Sequence, residues 1–70
     1  NNPSLWLALL GACENWGYIK LGRLSFDHVI QVGNDFASAY VIMANIYAAA
    51  GMQEDAEKVE NMRVRNGLGR

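Results

Sequence analysis

The tightest constraint on this chain is a period. Gly17 and Gly51 are 34 positions apart, and so are Gly33 and Gly67, Trp6 and Tyr40, and Ser4 and Ser38. Leu7 and Val41, Leu9 and Met43, Gly22 and Ala56, and Ile30 and Val64 keep the same spacing of 34. Identities are few, but the matches fall where a helical hairpin needs them. There is an opening aromatic knob, a turn glycine, a small residue for the helix crossing, and a closing glycine. A 34-residue period of two helices is of the tetratricopeptide type. One such hairpin cannot bury its apolar face alone, so a second copy covers it.

The local pattern fills in this frame. Pro3 has its φ preset for a first helical turn, and Asn2 or Ser4 is placed to cap it. A helix over Leu5 to Asn15 follows, with Trp6, Leu9, Leu10 and Cys13 on one face. Gly17 ends it, and Tyr18 or Ile19 opens a second helix running to about Val32. Its expected inward set is Leu21, Leu24 or Ser25, His28 or Val29, and Val32, with Gly22 and Phe26 against the partner helix. Gly33-Asn34-Asp35 is a turn cluster. The third helix spans Ala37 to Ala50, capped by Asp35 or Ser38. It carries Tyr40, Met43, Ala44 and Tyr47 on one face and stops at Gly51. The fourth spans Gln53 to Asn66, with acidic residues in its first turn, Arg63 and Arg65 in its last, and Gly67 closing it. The expected fold is all-α: two stacked antiparallel helix-turn-helix hairpins, residues 1–36 and 37–70, forming a fragment of an α-α superhelix. The repeat-defining residues are Trp6, Gly17, Gly22, Tyr40, Tyr47, Gly51, Ala56 and Gly67.

Composition narrows the function classes. With 70 residues the chain buries only a limited core. The lone Cys13 cannot form an internal disulfide, which fits a reducing or organellar interior. A net charge of −1 gives no overall basic field for nucleic acid or an anionic membrane. No apolar run reaches transmembrane length, and no basic-then-apolar leader is present, so neither a membrane partner nor a targeting segment is expected within these residues. The aromatics, two Trp, three Tyr and two Phe, are many for two hairpins to cover. That surplus implies missing neighbours at one or both ends, and self-association of the isolated chain.

The run WLALLGACENWGYIKLG resembles the opening of the penultimate repeat in plant pentatricopeptide-repeat proteins of the PLS subclass. The run AYVIMANIYAAAGMQEDAEKVENMRVRNGLGR is similar to the last such repeat. Together they resemble the E domain that follows the RNA-reading repeats. The carrying residues include Trp6, Gly11, Cys13, Gly17, Gly22, Tyr40, Asn45, Tyr47, Gly51, Val59, Met62 and Gly67. The chain departs from the family pattern at Gly33-Asn34, where a proline is usual. It departs again at Met52-Gln53, where tryptophan often stands, and in the acidic Glu54, Asp55, Glu57 and Glu60. The resemblance implies an organellar RNA-processing factor, a site selector for cytidine-to-uridine editing in mitochondrion or chloroplast. It implies neighbouring repeats in the same polypeptide, and a deaminase domain or accessory editing factors as protein partners.

Deamination needs a zinc site of the H-x-E…C-x-x-C kind. His28 is followed by Val29-Ile30, and Cys13 is the only cysteine, so no catalytic, metal or cofactor residue is assigned. Cys13 reads as a buried small apolar residue and His28 as structural or exposed. In the resembled family the base is read just after the opening aromatic. Those positions are here Leu7 and Val41, which offer no donor or acceptor to a base edge. Asp35 would be an end-of-repeat reader without its partner. RNA contact is therefore expected to be weak or indirect, and Lys20, Arg23, Arg63, Arg65 and Arg70 read first as solvated cations. Trp16 and Tyr18, at the first inter-helix turn, either pack on each other or on a neighbouring repeat, or serve as exposed protein-contact anchors. The competing functional reading is a generic tetratricopeptide-like scaffold for peptides or proteins, unrelated to RNA.

Overall fold

The computed structural model describes residues 3–33 and 37–67. They form four α-helices: α1 (Pro3–Trp16), α2 (Ile19–Val32), α3 (Ala37–Ala49) and α4 (Gln53–Arg65). Each lies within two residues of its expected bounds. Helices α1 and α2 pair as one hairpin and α3 and α4 as another. Helix α3 also lies against both α1 and α2, whereas α4 touches only α3 among the described residues. The fold is therefore an all-α helical-repeat fragment with α3 at its centre.

The two inter-helix turns repeat in conformation as well as in sequence. Gly17 and Gly51 both sit in the left-handed region, at φ 74° and 76°. At the first turn the Tyr18 amide donates to the Cys13 carbonyl at 3.1 Å. At the second the Met52 amide donates to the Tyr47 carbonyl at 2.8 Å, the same six-to-one closure 34 residues later. The closing glycines are not equivalent. Gly67 has φ 70°, but Gly33 has φ −171° and ψ 148°, an extended conformation open to any residue. After Gly33 the chain has to cross from one hairpin to the next instead of reversing, and an extended exit serves that path.

Helix starts rely little on side-chain caps. Tyr18 and Met52 precede α2 and α4 without a side-chain cap bond. Ser4 and Ser38 lie inside the first turns of α1 and α3, not ahead of them. The capping expectations at Asn2 and Asp35 lie outside the described residues. Helix α4 has Glu54 and Asp55 in its first turn and Arg63 and Arg65 in its last, the order that complements the helix dipole.

The core joins Leu10 and Cys13 of α1, Phe26 and Val29 of α2, Ala56 and Val59 of α4, and six residues of α3. Those six are Ala39, Tyr40, Met43, Ala44, Ile46 and Tyr47, which span most of the circumference of α3 because it packs on three helices. On α2 the expected inward set needs correcting. The buried residues are Gly22, Ser25, Phe26 and Val29, while Leu21, Leu24 and Val32 are exposed. The arc shared by α1 and α3 runs through Gly22 and Phe26, and it leaves Leu21, Leu24 and Val32 on the outer flank. Ser25 is tolerated inside because its hydroxyl donates to the Leu21 carbonyl at 2.9 Å.

Candidate interaction surfaces

The seat of α3 on the first hairpin is built from four positions. A Cβ placed on Gly22 would lie 3.0 Å from Ile46 Cδ1 and 3.3 Å from Cys13 Cβ, so a side chain there would wedge α1, α2 and α3 apart. Phe26 meets Tyr40 edge-on, with ring centroids 5.1 Å apart and planes at 86°. Asn45 Nδ2 donates to Glu14 Oε2 at 3.1 Å. Arg23 Nη1 donates to the Tyr47 hydroxyl at 3.2 Å, while its Nε donates to Asp27 Oδ1 at 3.1 Å. Partial burial works against the Arg23 charge, but Tyr47 and Asp27 outweigh it and leave the guanidinium more basic than usual. The guanidinium also lies over the Phe26 ring, 5.4 Å from its centroid.

The 34-residue shift carries this seat onto the second hairpin. Glu14, Gly22, Arg23 and Phe26 become Ala48, Ala56, Glu57 and Glu60. All four line an open groove of about 340 Å³ between α3 and α4. No described helix occupies it. The groove keeps the small crossing residue in Ala56, but a carboxylate replaces the guanidinium and another replaces the aromatic ring. Glu60 accepts from Arg63 Nη2 at 2.9 Å.

The residues singled out in the sequence are placed as follows. Tyr40, Tyr47 and Ala56 are buried, Gly22 lies at the three-helix crossing, and Trp6 is half-buried with its ring stacked on His28. Leu7 is half-buried against the core, and Val41 is 43% exposed. Trp16 and Tyr18 are 72% and 57% exposed, so the surface they form is open. Cys13 is buried, and burial pushes its thiol pKa up. Arg23 is committed to Asp27 and Tyr47, and Arg63 to Glu60, while Lys20 and Arg65 are exposed. Asp35 and Arg70 lie outside the described residues. Among the described residues no three metal-ligating side chains come together, and no helix is long and apolar enough to cross a membrane.

Sequence reasoning missed the interlock of Arg23 with Tyr47 and of Glu14 with Asn45, and it missed the groove. The available signal was the same period. Charged and aromatic positions could have been compared at 34 residues just as the glycines were.

No family model and no solved structure matches the chain. Curated relatives do. A chloroplastic pentatricopeptide repeat-containing protein of Arabidopsis thaliana is 36% identical over 67 residues, 96% of this chain and 8% of the relative. A mitochondrial one from the same plant is 33% identical over 67 residues, 96% of this chain and 11% of the relative. A third Arabidopsis pentatricopeptide repeat-containing protein is 37% identical over 65 residues, 93% of this chain and 10% of the relative. The chain thus spans about a tenth of the length of the relatives it matches.

Proposed function

We propose that this chain, whose relatives are plant pentatricopeptide repeat-containing proteins, is a C-terminal helical-repeat module of an organellar RNA-processing factor. In this reading its two hairpins are residues 1–36 and 37–70. They belong to the E domain of the PLS subclass and serve a specificity factor for cytidine-to-uridine editing. The module stacks on neighbouring repeats and spaces the RNA reader from a deaminase or an accessory editing protein. It reads no base itself, and it acts in the chloroplast or the mitochondrion, the two compartments that the relatives' names give.

The observation that carries this reading is the apolar side chain at both reader positions. Val41 is exposed and Leu7 half-buried, and neither has a hydrogen-bonding group to present to a base edge. The outer flank of α2 supports the stacking role. Leu21, Leu24 and Val32 are exposed there, while the residues 34 later, Asp55, Lys58 and Asn66, are polar. The first hairpin is therefore dressed for a neighbour at a place where the second is dressed for water. Fluorescence anisotropy of the chain against single-stranded RNAs of different sequence tests the reading. Weak binding without sequence preference is expected, and tight sequence-specific binding by the chain alone would refute it.

A further inference from the structure

The groove between α3 and α4 repeats, position by position, a seat that already holds a helix in this molecule. Four contacts define how α3 sits on the first hairpin: Asn45 on Glu14, Ile46 on Gly22, Tyr47 on Arg23, and Tyr40 on Phe26. Moved by 34, the receiving residues are Ala48, Ala56, Glu57 and Glu60, all lining the groove. The groove is thus the next docking position of the same helical lattice, and it states what its occupant must carry. Opposite Ala56 there is room for an aliphatic side chain in the place of Ile46. Opposite Glu57, where Arg23 donates to a tyrosine hydroxyl in the first hairpin, the occupant must supply the donor. Opposite Glu60, where Phe26 meets an aromatic edge, the occupant faces a carboxylate. The two carboxylate-facing positions correspond to Tyr40 and Tyr47, which are seven residues apart and fall on one line of a helix.

We propose that this groove binds an amphipathic helix of a separate partner protein. That helix bears basic side chains at positions i and i+7 and an aliphatic one at i+6. Charge complementarity selects it. A helix shaped like α3 would set two aromatic phenols against Glu57 and Glu60, whereas lysine or arginine at those places gives charge-assisted hydrogen bonds. Small residues at Ala44, Ala48 and Ala56 let the incoming backbone approach closely, as Gly22 does for α3. The inference rests on the internal repeat and the charges, and it is independent of the RNA-related reading above.

The test is a titration of the 70-residue chain with a labelled, helix-stapled peptide. The probe is the segment 37–50 carrying Tyr40→Arg and Tyr47→Arg, followed by anisotropy at low and high salt. Its affinity is expected to exceed that of the unsubstituted segment, to fall about tenfold with Glu57→Lys plus Glu60→Lys, and to weaken with salt. Ala48→Arg, at an exposed helix position, blocks the groove without touching the core and is expected to remove binding while the helical circular dichroism stays unchanged. Equal binding of the two peptides, or binding indifferent to these variants, would overturn the proposal. So would self-association of the chain that is lost with Glu57→Lys, which would assign the groove to a second copy.

Discussion

The indole of Trp6 lies flat on the imidazole of His28, with centroids 4.1 Å apart and planes within 8° of parallel. It ties the start of α1 to the second half of α2, at the open end of the first hairpin. A stacked aromatic pair contributes about 0.5–1.5 kcal/mol beyond its buried area. His28→Ala should therefore lower stability by about 1 kcal/mol or more, whereas His28→Phe should restore most of it, because the ring and not the nitrogen carries the contact. Denaturant unfolding of the three proteins checks this, and equal midpoints would show that the stack adds nothing.

Two helical glycines should respond in opposite directions. Gly22 meets Ile46 and Cys13 at close range, so Gly22→Leu overpacks the crossing and should cost about 1–3 kcal/mol. Gly11 faces open space within α1, and Gly11→Ala should gain about 0.5–1 kcal/mol by helix propensity. Thermal melts of the pair read both signs at once. An unchanged melting temperature for Gly22→Leu would mean that the three helices do not cross there.

The turn glycine of the second hairpin carries a backbone requirement. Gly51 has φ 76° with nothing near its Cβ position, so the penalty for a side chain is conformational and not steric crowding by neighbours. Gly51→Ala should destabilise by about 1–2 kcal/mol. Alanine at Gly33, where φ is extended, should cost much less. If both substitutions cost the same, the left-handed turn is not what glycine supplies at 51.

Most of the fold was legible because the period marks turns, and turns are set locally by glycine. Gly17 and Gly51 announce two hairpins, and the apolar run from Ala39 to Tyr47 announces the helix that joins them. What the pattern could not settle was which side of an over-apolar helix faces inward. Leu21, Leu24 and Val32 look like core by hydrophobicity. The seat of α3 decides otherwise, and that seat depends on Gly22 and Phe26 together. The groove was equally hidden, because Glu57 and Glu60 read in isolation as a solvated acidic face. They acquire meaning only when Arg23 and Phe26, 34 residues earlier, are seen to hold a helix.

The exposed apolar flank of α2 should make the isolated chain associate. Leu21→Glu combined with Leu24→Glu places charge where the structure shows solvent, so helicity and melting temperature should change by no more than surface substitutions usually allow, about 0.5 kcal/mol. Sedimentation should show the parent chain growing in mass as concentration rises and the double variant remaining monomeric. A parent chain that stays monomeric, or a variant that unfolds, would contradict the assignment of these leucines to an outer flank.

The buried thiol links stability to alkaline pH with a defined sign. Burial raises the Cys13 pKa in the folded chain, whereas the unfolded chain ionises near the ordinary thiol value of about 8.5. The unfolded state therefore sheds its proton first as pH rises. The stabilisation is complete below about pH 8.5 and is lost as pH climbs through the folded pKa. Cys13→Ala lacks this term. The melting-temperature difference between parent and variant should hold steady from neutral pH to the ordinary thiol range and then move against the parent above it. Taking the difference cancels the tyrosines and lysines, which titrate in both proteins. A difference that stays constant into the alkaline range would show that Cys13 ionises as easily in the folded chain as in the unfolded one. Rapid modification by a thiol reagent under native conditions would then be expected as well, in place of modification limited by opening of the α1–α3 core.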